Sequence, residues 1–508
     1  MDLSKRGHVA LSVAAGALLF VGLFLLLDAA PRIARAGTGD VFVIPGGDGD
    51  CSQADPCDMQ TALGRATQGD TIYVAGGTYT GEGTAVVTVT QSITLYGGWN
   101  GASTGAVERD PEAFPTTLDG ERARRVVYVG EGITPTLDGF TICRGNATGL
   151  VANCGNQPDG CGGGVYAYNA HPVIVNNVIS NNVAAITTAG YPTGTIGHGG
   201  GLYLEDVDGA VISGNVIISN TGSTADCGRG GGLQLSGSAA GARVEANQML
   251  SNAATTTAAT CAWGGAMAGG PDGALIQGNL IEGNRTNSTG GGYGAGIYQW
   301  YGSAEFRGNI IRANEGTRAV YLGYSRSGFR ENWVVDNVGT SAVELRYGAG
   351  EGPTLVNNVV AAAEGQRSLT ALTWDGRPLT ARLLHNTLVG AGAGDGVHVE
   401  TDYVTLFLTN TIVAGHEGVG VYVTDGSTAT LEATLWYANG AHTGGTGTTI
   451  TTDNVFGAPL FVDPAGWDFH IEAGSPAVDA GVAVPWLTTD IDDDPRPAGE
   501  GYDLGADE

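Results

Sequence analysis

Lysine occurs once in these 508 residues, at Lys5, among 23 basic residues set against 51 acidic ones. Charged residues of both signs make up only 15% of the chain, and the net charge is −28. An acidic, lysine-poor surface excludes nucleic acid and anionic membrane as electrostatic partners. It also repels an acidic glycan unless arginine or a cation intervenes. Lyase chemistry that needs a lysine base is excluded as well. Beyond residue 36 no apolar run is long enough for a packed helix, which removes the helical fold classes. What the chain has in quantity is glycine, 86 residues of it, a composition suited to turn-dense β structure.

Between Cys161 and about Thr424 one phrase returns: Asn, any residue, an aliphatic residue, two more residues and often a second Asn. It runs Asn177 to Asn182, Asn215 to Asn220, Asn247 to Asn252, Asn279 to Asn284, Asn309 to Asn314 and Asn332 to Asn337. Asn358, Asn386 and Asn410 carry its first half, and Thr434 falls at the Asn position of the next repeat. The spacing drifts between 23 and 38 residues, as in a solenoid that takes up insertions at its corners. Upstream of each phrase stands a glycine-bounded strand signature, such as Gly162-Gly-Gly-Val-Tyr-Ala, Gly199-Gly-Gly-Leu-Tyr-Leu and Gly420-Val-Tyr-Val. Three short strands per repeat, stacked in parallel, predict an all-β right-handed parallel β-helix of about a dozen coils. Asn side chains repeating at one corner predict a stacked amide ladder.

Residues 1–36 read as an export leader: Lys5 and Arg6, an apolar run from Val9 to Leu27, and Ala34-Arg-Ala36 before Gly37. Extracellular or cell-surface localisation follows. The run is also long enough for an uncleaved anchor, the one route by which membrane becomes a partner. Seven cysteines in an exported chain favour disulfides. Cys51 with Cys57 and Cys227 with Cys261 are the expected pairs; Cys143, Cys154 and Cys161 leave one thiol over and no assigned pairing. The chain then divides into a cap and first coils at 37–100, containing a short amphipathic helix from Met59 to Ala66, a β-helix at 101–457, and a distinct C-terminal module at 458–508.

Cys51…Pro-Cys57, Gly69-Asp-Thr-Ile, Gly77-Thr-Tyr and Leu137-Asp-Gly-Phe-Thr-Ile, with the repeated Gly-Gly-Gly-Leu-Tyr and Asn-x-Ile phrases, resemble secreted bacterial β-helix proteins of the pectate-lyase-like superfamily. The ending resembles the choice-of-anchor Q module, in Pro459-Leu-Phe-Val-Asp-Pro464, Gly474-Ser-Pro-Ala-Val-Asp-Ala-Gly481, Asp490-Ile-Asp-Asp-Asp-Pro-Arg-Pro497 and Tyr502-Asp-Leu-Gly-Ala-Asp-Glu508. The resemblance implies export, a polysaccharide or cell-envelope glycan as partner, and the first sheet as the face where it lies. It does not imply one activity, because the superfamily spans lyases, glycosidases, adhesins and tailspikes.

Aligned on the glycine signature, the outward column of the first strand reads Tyr166, Tyr203, Gln234, Ala268, Tyr298, Tyr321, Glu344, Thr370, His398, Tyr422, with Trp300 and Arg346 in the column beside it. Tyr166, Tyr203, Tyr298, Trp300 and Tyr321 are the candidates for stacking on sugar rings; the bland alternative is aromatic residues packing on their cross-coil neighbours. Insertions at 183–198, 221–229, 253–263 and 285–293 predict a wall along one edge carrying His198, Arg229, Trp263 and Tyr293. In the open part beyond it lie Glu344, Arg346, His398 and Glu400. Two carboxylates two coils apart, ~9.6 Å at ~4.8 Å per coil, suit an inverting hydrolase, and Arg346 suits an elimination; ordinary solvated charges are the alternative. Asp490, Asp492 and Asp494 alternate as Ca²⁺ ligands do, or as a hydrogen-bonded Asp turn. Two functions remain: a carbohydrate-binding or adhesin-like protein, and a polysaccharide hydrolase or lyase.

Overall fold

The computed structural model describes residues 32–34, 39–150, 154, 160–186, 196–224, 226–257, 261–287, 292–346, 350–374 and 376–508. Apart from a short strand at Arg32–Ala34, which runs antiparallel to Val107–Arg109, the predicted leader lies outside them. Among the described residues no helix is long and apolar enough to cross a membrane.

Short strands of alternating pattern coil around one apolar interior as a right-handed parallel β-helix, the hand that parallel crossovers take. Its first face is a sheet of 13 strands running from Ala85–Val89 to Ala441–Gly445 in strict coil order. The other two faces are built from the strands on either side of the Asn corner, such as Val173–Val175 and Val178–Ser180, each pairing in parallel with its counterpart one coil on. Inward positions of the first sheet (Val165, Leu202, Leu233, Ile297, Val320, Val343, Val397 and Val421) are buried, and so are the columns headed by Ile174 and Ile179.

Two Asn ladders hold the corner. Asn177 Nδ2 donates to Asn215 Oδ1 at 3.1 Å and to the Leu137 carbonyl of the preceding coil at 3.0 Å, while its backbone N–H donates to the same Oδ1 at 3.0 Å. The pattern repeats to Asn386, and a second ladder runs from Asn182 to Asn337. These amides are buried, so each must find partners within the fold, and an identical neighbour one coil away, ~4.8 Å along the stack, supplies them.

One register differs from expectation. Asn410 is not a rung: Thr387 pairs with Ile412, so Thr411 holds the ladder position, and the ladder ends at Asn386. Asn410 is the corner residue before it, with φ +52°. Asn tolerates the left-handed conformation better than other non-glycine residues, and a one-residue shift places it at that corner. Its amide instead bonds Val482, Nδ2 donating to the carbonyl at 2.7 Å and Oδ1 accepting from the N–H at 2.8 Å.

The N-terminal end is closed by helix α1 (Met59–Arg65), one residue shorter than expected. Asp58 caps it by accepting from the Gln60 and Thr61 N–H groups, and Met59 and Ala62 are buried on the core. Disulfides join Cys51 to Cys57, Cys154 to Cys161 and Cys227 to Cys261, leaving Cys143 as the odd thiol. Residues 458–508 fold back along the flank of the solenoid. Phe469 and Ala506 pack on Val335, Val359 and Ala361, and Ala477 and Leu504 on Ile412 and Leu435.

Candidate functional site

The outward column of the first sheet has the predicted register, Tyr166↔Tyr203↔Gln234↔Ala268↔Tyr298↔Tyr321↔Glu344↔Thr370↔His398↔Tyr422. Its geometry is not the flat strip expected. Equivalent side chains one coil apart stand face to face. Tyr128, Tyr166 and Tyr203 form a stack with centroid spacings of 5.5 and 5.6 Å and interplanar angles of 13° and 5°. Their faces cover one another, Arg125 lies over the Tyr166 ring at 4.6 Å, and Tyr166 and Tyr203 are buried. Neither offers a face to a sugar. Tyr321 is also buried, stacked on Tyr298 at 4.9 Å.

A face opens where the column drops to small residues. Between Tyr203 and Tyr298 stand Gln234 and Ala268, and beside them Ser236 and Gly270 replace the bulk of Glu205. A cavity of about 510 Å³ lies there, floored by these four residues and bounded by the half-buried Tyr298 and Trp300. Its wall comes from the insertions. Gly160–Cys161, Gly197–His198, Gly228–Arg229 and Ala262–Trp263 form a parallel four-stranded sheet of their own. In that sheet Cys161, His198, Arg229 and Trp263 fall in register, and a bridge continues to Tyr293. Of the four wall residues anticipated, Arg229, Trp263 and Tyr293 line the cavity, while His198 packs edge-on against Tyr203.

Arginines and rings alternate around the opening. Arg229 lies over Trp263 at 4.7 Å, Arg318 over Tyr293 at 4.9 Å, and Arg346 over Tyr293 at 5.5 Å and over Trp374 at 4.3 Å. Arg229 Nε and Gln234 Oε1, both on the lining, have no hydrogen-bond partner among the described residues. Among the described residues the lining contains two arginines and no carboxylate, a local positive site on an acidic chain.

The proposed acid residues are placed otherwise than expected. Glu344 is fully buried behind this opening, in contact with Arg318 and 3.7 Å from Arg346. Burial holds its carboxyl above the ordinary carboxylate range, although Arg318 and then Arg346 pull the other way. Glu400 lies at the surface, paired with Arg367. His398 Nδ1 meets Asp395 Oδ2 at 2.6 Å, and its ring stacks on Tyr422 at 4.6 Å. Glu344 and Glu400 therefore do not face each other across an open groove, because neighbouring arginines claim both. Arg346 alone of the four reaches the cavity.

The Asp run of the C-terminal module is a hydrogen-bonded turn. Asp490 Oδ1 accepts from the N–H groups of Asp492 and Asp494 at 2.8 and 2.9 Å, and its Oδ2 from that of Glu508 at 3.1 Å. Asp492 turns away to His470, whose Nε2 it meets at 2.6 Å, and the other ring nitrogen meets Asp468 at 2.5 Å. Among the described residues His470, Asp492 and Asp507 bring one donor atom each within 4.8 Å of the others; the remaining such group, Asp226 with Cys227 and Cys261, contains a disulfide.

Sequence reasoning missed the rim. Just past the first-sheet strands stand Tyr301, Tyr324, Trp374 and Tyr403; Tyr301, Trp374 and Tyr403 are more than half exposed. Tyr301, Tyr324 and Tyr403 have φ of +65°, +50° and +62°, a left-handed conformation that costs an L-residue ~1–2 kcal/mol. Strain of this kind persists where the surroundings hold it, often at sites of function. The available signal was an aromatic residue directly after two successive strands, Tyr301 after Ile297–Trp300 and Tyr324 after Arg318–Gly323; Trp374 and Tyr403 fall at other steps beyond theirs.

Residues 193–360 and 257–436 match the family model described as right handed beta helix region. The fold is a right-handed parallel β-helix. This β-helix is similar in structure to pectate lyase Pel9A, at 13% identity over 93% of this chain and 97% of that one, with a TM-score of 0.34. It is similar to the catalytic unit of the GH87 alpha-1,3-glucanase from Streptomyces thermodiastaticus strain HF3-3, at 14% identity over 84% and 70% of the two chains and a TM-score of 0.38. The periplasmic alginate epimerase AlgG aligns at 12% identity over 75% and 77%, with a TM-score of 0.32. At such scores the activities in those names stay with those proteins. No curated protein sequence matches the β-helix.

Proposed function

We propose that this β-helix is an exported glycan-binding protein, and that its cavity takes a saccharide unit bearing a negative charge. The observation that carries this reading is the meeting of half-buried aromatic rings with Arg229 and Arg346 in a cavity whose lining, among the described residues, has no carboxylate. Aromatic faces suit the apolar faces of pyranose rings, and arginine forks suit carboxylate or sulfate groups. The rim of Tyr301, Tyr324, Trp374 and Tyr403 extends the same chemistry over further coils, as a polymer would need. Export is supported by the leader and by the disulfides, which persist in oxidising compartments. The resemblance of residues 458–508 to the choice-of-anchor Q module agrees with a role at the cell surface.

A second reading, hydrolysis or elimination on the same polymer, is favoured by one observation: a buried carboxyl with a raised pKa, Glu344, beside the cavity-lining Arg346. The two readings separate by incubating the protein with neutral, carboxylated and sulfated polysaccharides. Retention of intact anionic polymer, lost in Arg346→Gln, supports binding. New reducing ends or unsaturated products that vanish in Glu344→Gln overturn it. Retention of neutral polymers alone overturns the anionic specificity.

A further inference from the structure

The two ends of the solenoid are unlike. At the N-terminal end α1 and the Cys51–Cys57 loop lie over the first core layer. At the other end the last coil, Tyr437 to Phe456, has sheet on one side only. Ala441–Gly445 pairs with Val419–Val423, and Thr448–Thr452 and Val455–Phe456 both pair with Thr428–Tyr437; among the described residues no strand pairs with the far side of these three. The C-terminal module leaves this end uncovered, because it runs back along the flank.

The backbone polarity of the end follows from the ladder. Thr448 N–H donates inward to the Ser427 carbonyl at 3.0 Å. In a parallel pair the N–H and C=O of one residue point the same way and alternate along the strand. Those of Thr449 and Thr451 therefore point off the end of the solenoid. Ile450 and Phe456, at 49% and 60% exposure, stand beside them. Natural edges are blunted by charged residues, proline or a covering element. Here no Asp, Glu, Lys or Arg occurs from Ala438 to Thr452, nor any proline.

We propose that this end is a dimer interface, and that its partner is the same end of a second copy of the chain. Three observations select that occupant. The chain carries −28 overall, so two copies repel least through a surface of low charge, and the last coil holds a single acid, Asp453, and no Lys or Arg. A two-fold axis across the end sets Thr448–Thr452 antiparallel to its counterpart, so that outward N–H and C=O groups meet their complements. The covered N-terminal end blocks head-to-tail stacking, so the contact closes as a pair and does not grow into a fibre. The 20 residues of the last coil reach the lower end of the ~20–30 a side found in stable interfaces.

Light scattering on the full chain over a dilution series tests this. Twice the chain mass is expected, returning to the single-chain mass in Ile450→Lys and in Thr451→Pro, with glycan retention unchanged in both. Proline at 451 removes only an N–H that points off the end, so the in-chain ladder keeps its bonds. Wild-type protein provides a test free of any folding defect. The Thr449 and Thr451 amides, which have no acceptor among the described residues, should exchange slowly with deuterium in concentrated protein and fast on dilution. A single-chain mass at every concentration overturns the proposal. So does fast exchange of both amides throughout, a mass above twofold, or a dimer that survives in both folded variants.

Discussion

The guanidinium carbon of Arg346 lies 4.3 Å from the ring centroid of Trp374, two residues that share neither a strand nor a coil. The ring is 68% exposed and the guanidinium is buried beneath it, so the tryptophan covers one of the two arginines on the described lining of the cavity. A cation–π contact of this kind contributes ~0.5–2 kcal/mol. Trp374→Ala should leave the melting temperature nearly unchanged, because little buried area is lost, while weakening retention of anionic polysaccharide several-fold. Affinity electrophoresis alongside a thermal melt checks both halves.

Glu344 sits between Arg318 and Arg346 with no access to water. Removing one partner of a buried ion pair leaves the others uncompensated and costs ~3–5 kcal/mol. Glu344→Ala should therefore lower stability by about that amount, measured by denaturant unfolding, and should release Arg346 from its place in the cavity. Arg367→Ala, which frees the surface residue Glu400, should cost less than ~1 kcal/mol.

Within the ladder, Asn279 Nδ2 donates to the Val244 carbonyl and to Asn309 Oδ1, at 2.8 and 2.9 Å. Aspartate has the same shape but nothing to donate when ionised, and it would set a buried charge against two acceptors. Asn279→Asp is expected to destabilise by at least ~3 kcal/mol. Its pKa should rise well above the ordinary range, so the loss should shrink as the pH is lowered. Urea melts at two pH values test the sign.

The C-terminal module has a pH dependence of its own. Hydrogen bonding to Asp492 raises the His470 pKa from 6.5 to about 9, against the opposing effect of burial. A pKa raised by folding stabilises fully below 6.5, and that contribution is lost as the pH rises through about 9. His385 and His416 behave in the opposite sense. Burial lowers them to about 3 and about 4, so stability should fall as the pH drops from about 6.5 towards those values. Melting temperatures should peak near pH 6.5, where the two windows meet, and His470→Gln should flatten only the alkaline limb.

The period of the Asn phrase, the glycine-bounded strands and the scarcity of long apolar runs together leave one fold open to this chain. Because parallel coils stack in register, sequence alignment alone also yields the outward column from Tyr166 to Tyr422, residue for residue. Local rules reach that far, since every rung depends on the same few positions of each repeat.

Which members of that column are available was decided by packing. Tyr166 and Tyr203 close on each other because their neighbours are tyrosines, whereas Tyr298 keeps a free side because Ala268 precedes it in the stack. The wall was legible in the insertions that carry Arg229, Trp263 and Tyr293, whereas the rim at Trp374 and Tyr403 comes from loops whose paths no repeat determines. Asn410 shows the same limit at the smallest scale. Its phrase matches the ladder, but a shift of one residue moves it to the left-handed corner and hands its amide to Val482, 72 residues away. Sequence specifies the coil because the repeat is local; the site depends on contacts between coils of different length, and only the folded chain sets those.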